Sequence, residues 1–230
     1  MKRFWSDVAL REGVGGFGIE LDGRPVKTPA RNLLEVPTRA LAEAIAEEWR
    51  SCEEEADPRA MRLTGLANAA IDRISADPES FAAGLAKYGE SDLTCYRAEG
   101  PDALVQRQAE SWDALLDWAR RRYDVDFACS AGIMHVAQPD DTIAKLGHAV
   151  AVLDPFRLAS LAPLVTISGS LVAGLAVLEE AIPADSAWEA VSLDDRWQAE
   201  QWGADAEATA ALDGRRAAFI AAARFLSLLD

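Results

Sequence analysis

Three glycines near the N-terminus, Gly13, Gly15 and Gly18, have the G-x-G-x-x-G spacing with which some proteins bind a dinucleotide. That chemistry requires the glycines between a strand and a helix, because the pyrophosphate lies at the helix N-terminus. The residues after Gly18 instead alternate apolar and polar up to Leu21, as a strand does. We therefore predict that these glycines form a hairpin turn and bind no nucleotide.

The residue types that bind metals or act as nucleophiles are few and scattered. His135 and His148 are the only histidines, and no HExxH motif or Cys/His cluster surrounds them. Cys52, Cys95 and Cys129 are widely spaced, odd in number and without a C-x-x-C pair, so we expect three reduced thiols. A Cys–His pair between Cys95 or Cys129 and either histidine stays formally possible, although no local signature supports it. We predict no metal, no cofactor and no catalytic residue.

The composition restricts the class of partner. The chain has 230 residues, half of them hydrophobic, and a net charge of -15. Nucleic-acid binding requires clustered Lys and Arg, so the charge argues against it, and it also disfavours an anionic membrane surface. It favours solubility and attraction to a basic protein surface.

The fold that must position any site is predicted to be α+β, with a small β-rich domain before a larger all-helical one. Asp22 and Gly23 form a strong hairpin-turn signal. Pro25 has no backbone N–H to donate, which predicts that the strand after the turn lies at the edge of the sheet. Thr38 is predicted to be the N-cap of a long helix that carries Trp49. We place the β-rich domain with its one long helix at residues 1–58 and the helical domain at residues 59–230, and a boundary at Asp77 and Pro78 is the alternative.

The segment Leu158–Leu178 contains no charged residue. Its length could span a bilayer, and a membrane-anchored subunit is therefore one hypothesis. Aromatic belts and a basic flank are missing, and Glu179 and Glu180 follow directly. We favour a buried central helix at about residues 156–180 and no membrane insertion.

Five blocks of sequence resemble one known family, in the right order along nearly the whole chain. They are Phe4 to Trp49 with LDGRPVKTP inside it, MRLTGLAN from Met61, DLTCYR from Asp92, QAESWDALLDW from Gln108 and LDDRWQAEQWG from Leu193. Together these blocks resemble the ATP twelve family, the assembly chaperones of the ATP synthase alpha subunit. Asp195 stands where that family often has Glu, which keeps the charge but shortens the side chain.

The resemblance implies a function without catalysis. Such proteins bind the unassembled alpha subunit of the ATP synthase head, prevent its aggregation and release it to the beta subunit. The start of the sequence lacks the features of a secretory signal or a mitochondrial presequence, which fits a bacterial, cytoplasmic version that is monomeric when free. We predict that the terminal block binds the partner, through Asp194, Asp195, Trp197, Glu200 and Trp202.

Other residues are predicted to have structural roles. Trp49 is expected to anchor the two domains to each other, so that its loss harms folding first. Asp22, Gly23 and Pro25 are expected to shape the N-terminal hairpin. A competing hypothesis is a small-molecule enzyme or binding protein that uses the cleft between the two domains.

Overall fold

The computed structural model describes residues 2–57 and 59–230 and confirms the α+β class. Its strands are β1 (Val8–Gly13), β2 (Gly16–Leu21), β3 (Arg24–Pro25), β4 (Glu35–Val36), β5 (Tyr96–Arg97) and β6 (Ser130–Ala131). Its α-helices are α1 (Arg39–Arg50), α2 (Arg62–Ala69), α3 (Pro78–Ala86), α4 (Asp102–Tyr123), α5 (Asp140–Ala151), α6 (Pro155–Ser168), α7 (Leu171–Leu178), α8 (Ala184–Val191), α9 (Leu193–Trp202) and α10 (Ala206–Ser227).

The chain forms two compact units. The first consists of the residues up to Pro78 together with Asp154–Ser160 and Ala221–Asp230, and the second consists of Glu79–Leu153 and Leu161–Ile220. The predicted domain boundary at Pro58 falls on a residue outside the described part of the chain, and the division into residues 1–58 and 59–230 stays a prediction.

The N-terminal sheet is built on a hairpin. β1 and β2 pair antiparallel, and Gly13 lies opposite Gly16 beside the turn, as the hairpin interpretation of these glycines predicts. A Cβ on Gly16, which has a φ of 133°, would lie 2.1 Å from the Val36 carbonyl oxygen, so this position requires glycine. Asp22 and Gly23 join β2 to β3 with positive φ angles of 49° and 73°, which confirms the second turn.

Helix α1 packs an apolar stripe against the rest of its unit. The Thr38 hydroxyl accepts a hydrogen bond from the Leu41 amide at 3.2 Å, so the predicted N-cap is confirmed. The stripe recurs at helical spacing and consists of Leu41, Ala42, Ile45, Ala46 and Trp49.

The apolar segment predicted as one helix at about 156–180 is two helices in the structure. Gly169 between α6 and α7 has a φ of 70°, which favours glycine, and Ser170 caps α7 by accepting from the Ala173 amide at 3.0 Å. Ser168, Gly169 and Ser170 therefore form the break between the two helices. The burial of α7 is confirmed, and no helix of the described residues is long and apolar enough to cross a membrane.

The start of α7 encloses a buried carboxylate, that of Asp92. It accepts hydrogen bonds from the Val172 amide at 2.9 Å, from the Ser170 hydroxyl at 2.8 Å and from the Thr94 amide and hydroxyl at 3.0 and 2.7 Å. Burial raises the pKa of Asp92, and these hydrogen bonds act in the opposite direction. The network ties the segment before β5 to the N-terminus of α7.

The C-terminal region also differs from its prediction. The capping residues at 184–186 predict one helix through Trp202, whereas the structure divides this segment at Ser192 into α8 and α9. The apolar spacing predicts that the last helix begins near Asp213, whereas α10 begins at Ala206, because its first turns are exposed and lack that spacing.

Candidate functional site

Helix α9, which carries all five predicted partner-binding residues, is held by α4 through its inner face. Leu193 and Trp197, one helical turn apart, are buried. The Arg107 guanidinium of α4 lies 4.8 Å from the centroid of the Trp197 ring, a cation–π contact. The same guanidinium donates to Glu200 at 2.7 Å, so one arginine holds two of the five residues.

Asp194 is held by a second residue of α4. Its carboxylate accepts from the Gln108 Nε2 at 2.8 Å, and the Gln108 Oε1 accepts from the Ala98 amide at 2.8 Å. Gln108 is buried, so this chain of hydrogen bonds fixes where α9 sits along α4. Asp194, Trp197 and Glu200 thus make internal contacts, and Trp197 is only 9% exposed.

Asp195 and Trp202 lie together in a different place, a groove between α9 and the start of α10. The Asp195 carboxylate pairs with Arg215 of α10 at 3.0 Å, and the Trp202 side chain is 78% exposed. The groove has a volume of about 370 Å³ and is lined largely by small or apolar side chains. Its lining includes Ala199, Ala204, Ala208, Ala211 and Leu212.

Two local signals shape this groove, which we call the α9–α10 groove. Gly203 ends α9 with a φ of 90°, and the Asp205 carboxylate caps α10 by accepting from the Ala208 amide at 2.9 Å. The first turns of α10 are exposed, while Phe219 further along the helix is fully buried. The groove therefore lies on a helical hairpin whose far part is held in the core.

The five-residue spacing of Trp197 and Trp202 predicts that they cannot share a face, and the structure confirms that one is buried and the other exposed. Among the other tryptophans, Trp118 is half-buried and the rest are buried, namely Trp5, Trp49, Trp112 and Trp188. Trp202 is thus the tryptophan with the most accessible ring.

The residues predicted to be structural lie in the first unit. The Asp22 carboxylate accepts from the Asp7 and Ser6 amides at 2.9 and 3.0 Å, and these hydrogen bonds lower its pKa. Pro25 is exposed on the short strand β3, where it pairs with Glu20. The Trp49 ring packs edge-on against Trp5 with centroids 5.2 Å apart, and the role of Trp49 as an anchor between domains stays a prediction.

A second cavity, of about 690 Å³, lies between α5, α7 and the end of α4. Its floor includes Leu175 and Leu178, and the charged groups at its edge are paired within the protein. Arg122 pairs with Glu179, and Lys145 pairs with Asp141 at 2.8 Å. Within residues 2–57 and 59–230, no three His, Cys, Asp or Glu side chains are grouped as a metal site would need.

Sequence reasoning missed one pair of neighbouring cysteines. The spacing of the three cysteines gave no sign of a pair, yet Cys95 and Cys129 directly precede the paired strands β5 and β6 of the second unit. The residues that hold α9, Arg107 and Gln108, were also missed. Gln108 did carry a signal, because it lies one helical turn before Trp112 and therefore on the same face of α4.

Comparison with known proteins agrees with this architecture. A family model described as ATP12 chaperone protein matches residues 2–120. The mitochondrial protein atp12 of Schizosaccharomyces pombe is 26% identical over 215 residues, which cover 88% of this chain and 74% of the yeast protein.

Two solved bacterial structures are similar over the whole chain. Atp12 from Paracoccus denitrificans is 44% identical with a TM-score of 0.94, and the match covers 100% of this chain and 98% of the Paracoccus chain. The Atu1473 protein of Agrobacterium tumefaciens is 38% identical with a TM-score of 0.95, over 100% of this chain and 86% of its own. The chain therefore belongs to the ATP12 chaperone family, the chaperones of ATP synthase assembly.

Proposed function

We propose that this protein binds the unassembled alpha subunit of the F-type ATP synthase, prevents its aggregation and passes it to the beta subunit. Membership of the ATP12 chaperone family supports the chaperone role. A subunit that is destined for a large interface exposes apolar surface while it is alone, and such surface promotes aggregation. A chaperone with a charge of -15 keeps the complex soluble while that surface is covered.

The observation that carries the proposal is the exposed ring of Trp202 at the α9–α10 groove. Tryptophan is the side chain most enriched among the residues that dominate the binding energy of interfaces. The alanines of the groove allow a partner backbone or side chain to approach closely, and the ring supplies apolar area that folding does not use. An apolar patch with a charged rim is the usual anatomy of a reversible interface.

We assign different roles to the five residues of α9. Asp195 and Trp202, which border the groove, contact the alpha subunit. Asp194, Trp197 and Glu200, which contact Gln108 and Arg107, keep α9 at the correct position on α4. Loss of one of these three therefore weakens binding indirectly, together with some loss of stability.

Asp195→Lys tests the groove. We expect this variant to bind purified alpha subunit about tenfold more weakly, since reversal of an interfacial charge typically costs at least about 1.4 kcal/mol. Its own fold should be stable to within about 1 kcal/mol, because exposed ion pairs contribute little to stability. The measurement is suppression of light scattering by aggregating alpha subunit, with pull-down of the complex and circular dichroism of the free variant.

Two further variants separate direct contact from damage to the groove. Asp195→Lys combined with Arg215→Glu restores an ion pair inside the chain but not the negative charge at position 195, so we expect it to remain defective. Asp185→Lys changes another exposed aspartate, which pairs with Arg216 outside the groove, and we expect normal chaperoning. Full activity of Asp195→Lys, or equal defects in Asp195→Lys and Asp185→Lys, would contradict the proposed surface.

We propose that the free protein is a monomer and works in the bacterial cytoplasm without membrane insertion or nucleic acid. The similarity to proteins from two bacteria supports the location, and the net charge of -15 disfavours self-association and nucleic-acid binding.

A further inference from the structure

Two cysteines of the second unit lie side by side at one end of a small parallel strand pair. In this pair Tyr96 is opposite Ser130 and Arg97 is opposite Ala131. Cys95 and Cys129 each come directly before the first pair of that register. Adjacent strands are about 4.8 Å apart, which is inside the range of about 4.4–6.8 Å between the Cα atoms of a disulfide.

The two thiols are neighbours in space. The negative charge of a Cys129 thiolate is one of the causes that raise the pKa of the Cys95 thiol, after burial and the charge of Asp92. Cys95 is completely buried, whereas Cys129 is exposed to solvent. One member of the pair is thus open to a dissolved reagent, and the other is shielded from reagents but lies beside the first.

We infer that Cys95 and Cys129 form a reversible modification site, which a peroxide oxidises to an intramolecular disulfide and a dithiol reduces again. First, the exposed Cys129 sulfur attacks one peroxide oxygen, the O–O bond breaks, and Cys129 becomes a sulfenic acid with release of one water molecule. The Cys95 sulfur then attacks the Cys129 sulfur, the S–O bond breaks, and a second water leaves with the Cys95 proton. The two thiols lose two electrons in total, and the two peroxide oxygens gain them.

The order of these steps follows from burial. Burial raises the pKa of the Cys95 thiol, and the negative charge of Asp92 raises it further. Cys95 is therefore a poor first nucleophile, and its part is to resolve the sulfenic acid on Cys129. Cys52 is buried in the first unit beside the Met61 sulfur, at 3.8 Å, and serves as an internal reference thiol.

The test is mass spectrometry of the whole protein after treatment with hydrogen peroxide, followed by dithiothreitol. We expect the wild-type mass to fall by two hydrogens, two of the three thiols to disappear, and a cross-linked peptide to join Cys95 to Cys129. Cys52 should remain a thiol, and dithiothreitol should restore the original mass and thiol count.

A matched control moves the thiol by one residue. The double substitution Cys129→Ser with Ser130→Cys keeps the composition, but successive strand residues point to opposite faces, so the new thiol faces away from Cys95. We expect this folded variant to gain oxygen on the moved cysteine and to form no internal cross-link. A wild-type protein that gains oxygen at Cys129 without losing the Cys95 thiol, or that cross-links only between molecules, would overturn the inference.

Discussion

Replacement of Trp112 by alanine is expected to lower the free energy of unfolding by about 4 kcal/mol. Trp112 is 0% exposed, the largest completely buried side chain in the described part of the protein. Its removal deletes apolar contacts and leaves a cavity that the surrounding helices fill only in part. It also leaves the Ala190 carbonyl without the indole hydrogen bond, which is 2.8 Å long.

Urea denaturation followed by circular dichroism measures this loss, and two other tryptophan variants calibrate it. Trp112→Phe keeps an aromatic ring but not the N–H group, and it should lose about 2 kcal/mol. Trp202→Ala removes the ring that is 78% exposed and should change stability by no more than about 0.5 kcal/mol. Equal effects of Trp112→Ala and Trp202→Ala would contradict the assignment of Trp112 to the core.

Replacement of Asp92 by alanine is expected to cost about 4 kcal/mol as well, for a different reason. The substitution leaves the Val172 and Thr94 amides without their acceptor in a buried place, and each such amide costs about 1–3 kcal/mol. The Thr94 and Ser170 hydroxyls also lose a charged partner, although they can rotate toward another acceptor. The same denaturation experiment measures the effect.

Asp92→Asn tests the hydrogen bond from the Val172 amide separately from the others. Its amide oxygen can still accept from the Thr94 and Ser170 groups, but its NH2 group would face the Val172 amide, donor against donor. We expect a loss of about 2 kcal/mol, half that of Asp92→Ala. If Asp92→Ala were as stable as the wild type, the four hydrogen bonds would not hold the start of α7.

The local chemistry of the sequence was sufficient to predict the N-terminal region. Asp22–Gly23 gave the turn and Thr38 gave the helix N-cap, because each depends on the conformational preference of one or two residues. A turn residue and an N-cap residue were also present at Gly169 and Ser170, but they were not recognised as a helix boundary. There a long apolar run suggested one helix, although a glycine followed by an N-capping serine is also a helix boundary.

Long-range contacts account for most of what the sequence did not predict. Asp92 accepts hydrogen bonds from Ser170 and Val172, and the strands that follow Cys95 and Cys129 pair with each other. These residues are far apart in the sequence, so no local spacing predicts their contacts. The candidate site was predictable only in part. The terminal block stays a predicted binding site, and only its contacts with Arg107, Gln108 and Arg215 divide it into an inner face and a groove.

The central claim is that the α9–α10 groove binds the alpha subunit through Trp202, and an affinity measurement tests it most directly. Purified alpha subunit is titrated with wild-type protein and with Trp202→Ala, and the dissociation constants are compared by calorimetry or light scattering. An aromatic residue that dominates an interface typically contributes at least about 2 kcal/mol, so we expect Trp202→Ala to bind roughly 30-fold more weakly with an unchanged melting temperature. An unchanged dissociation constant for the folded variant would place the partner-binding surface elsewhere on the protein.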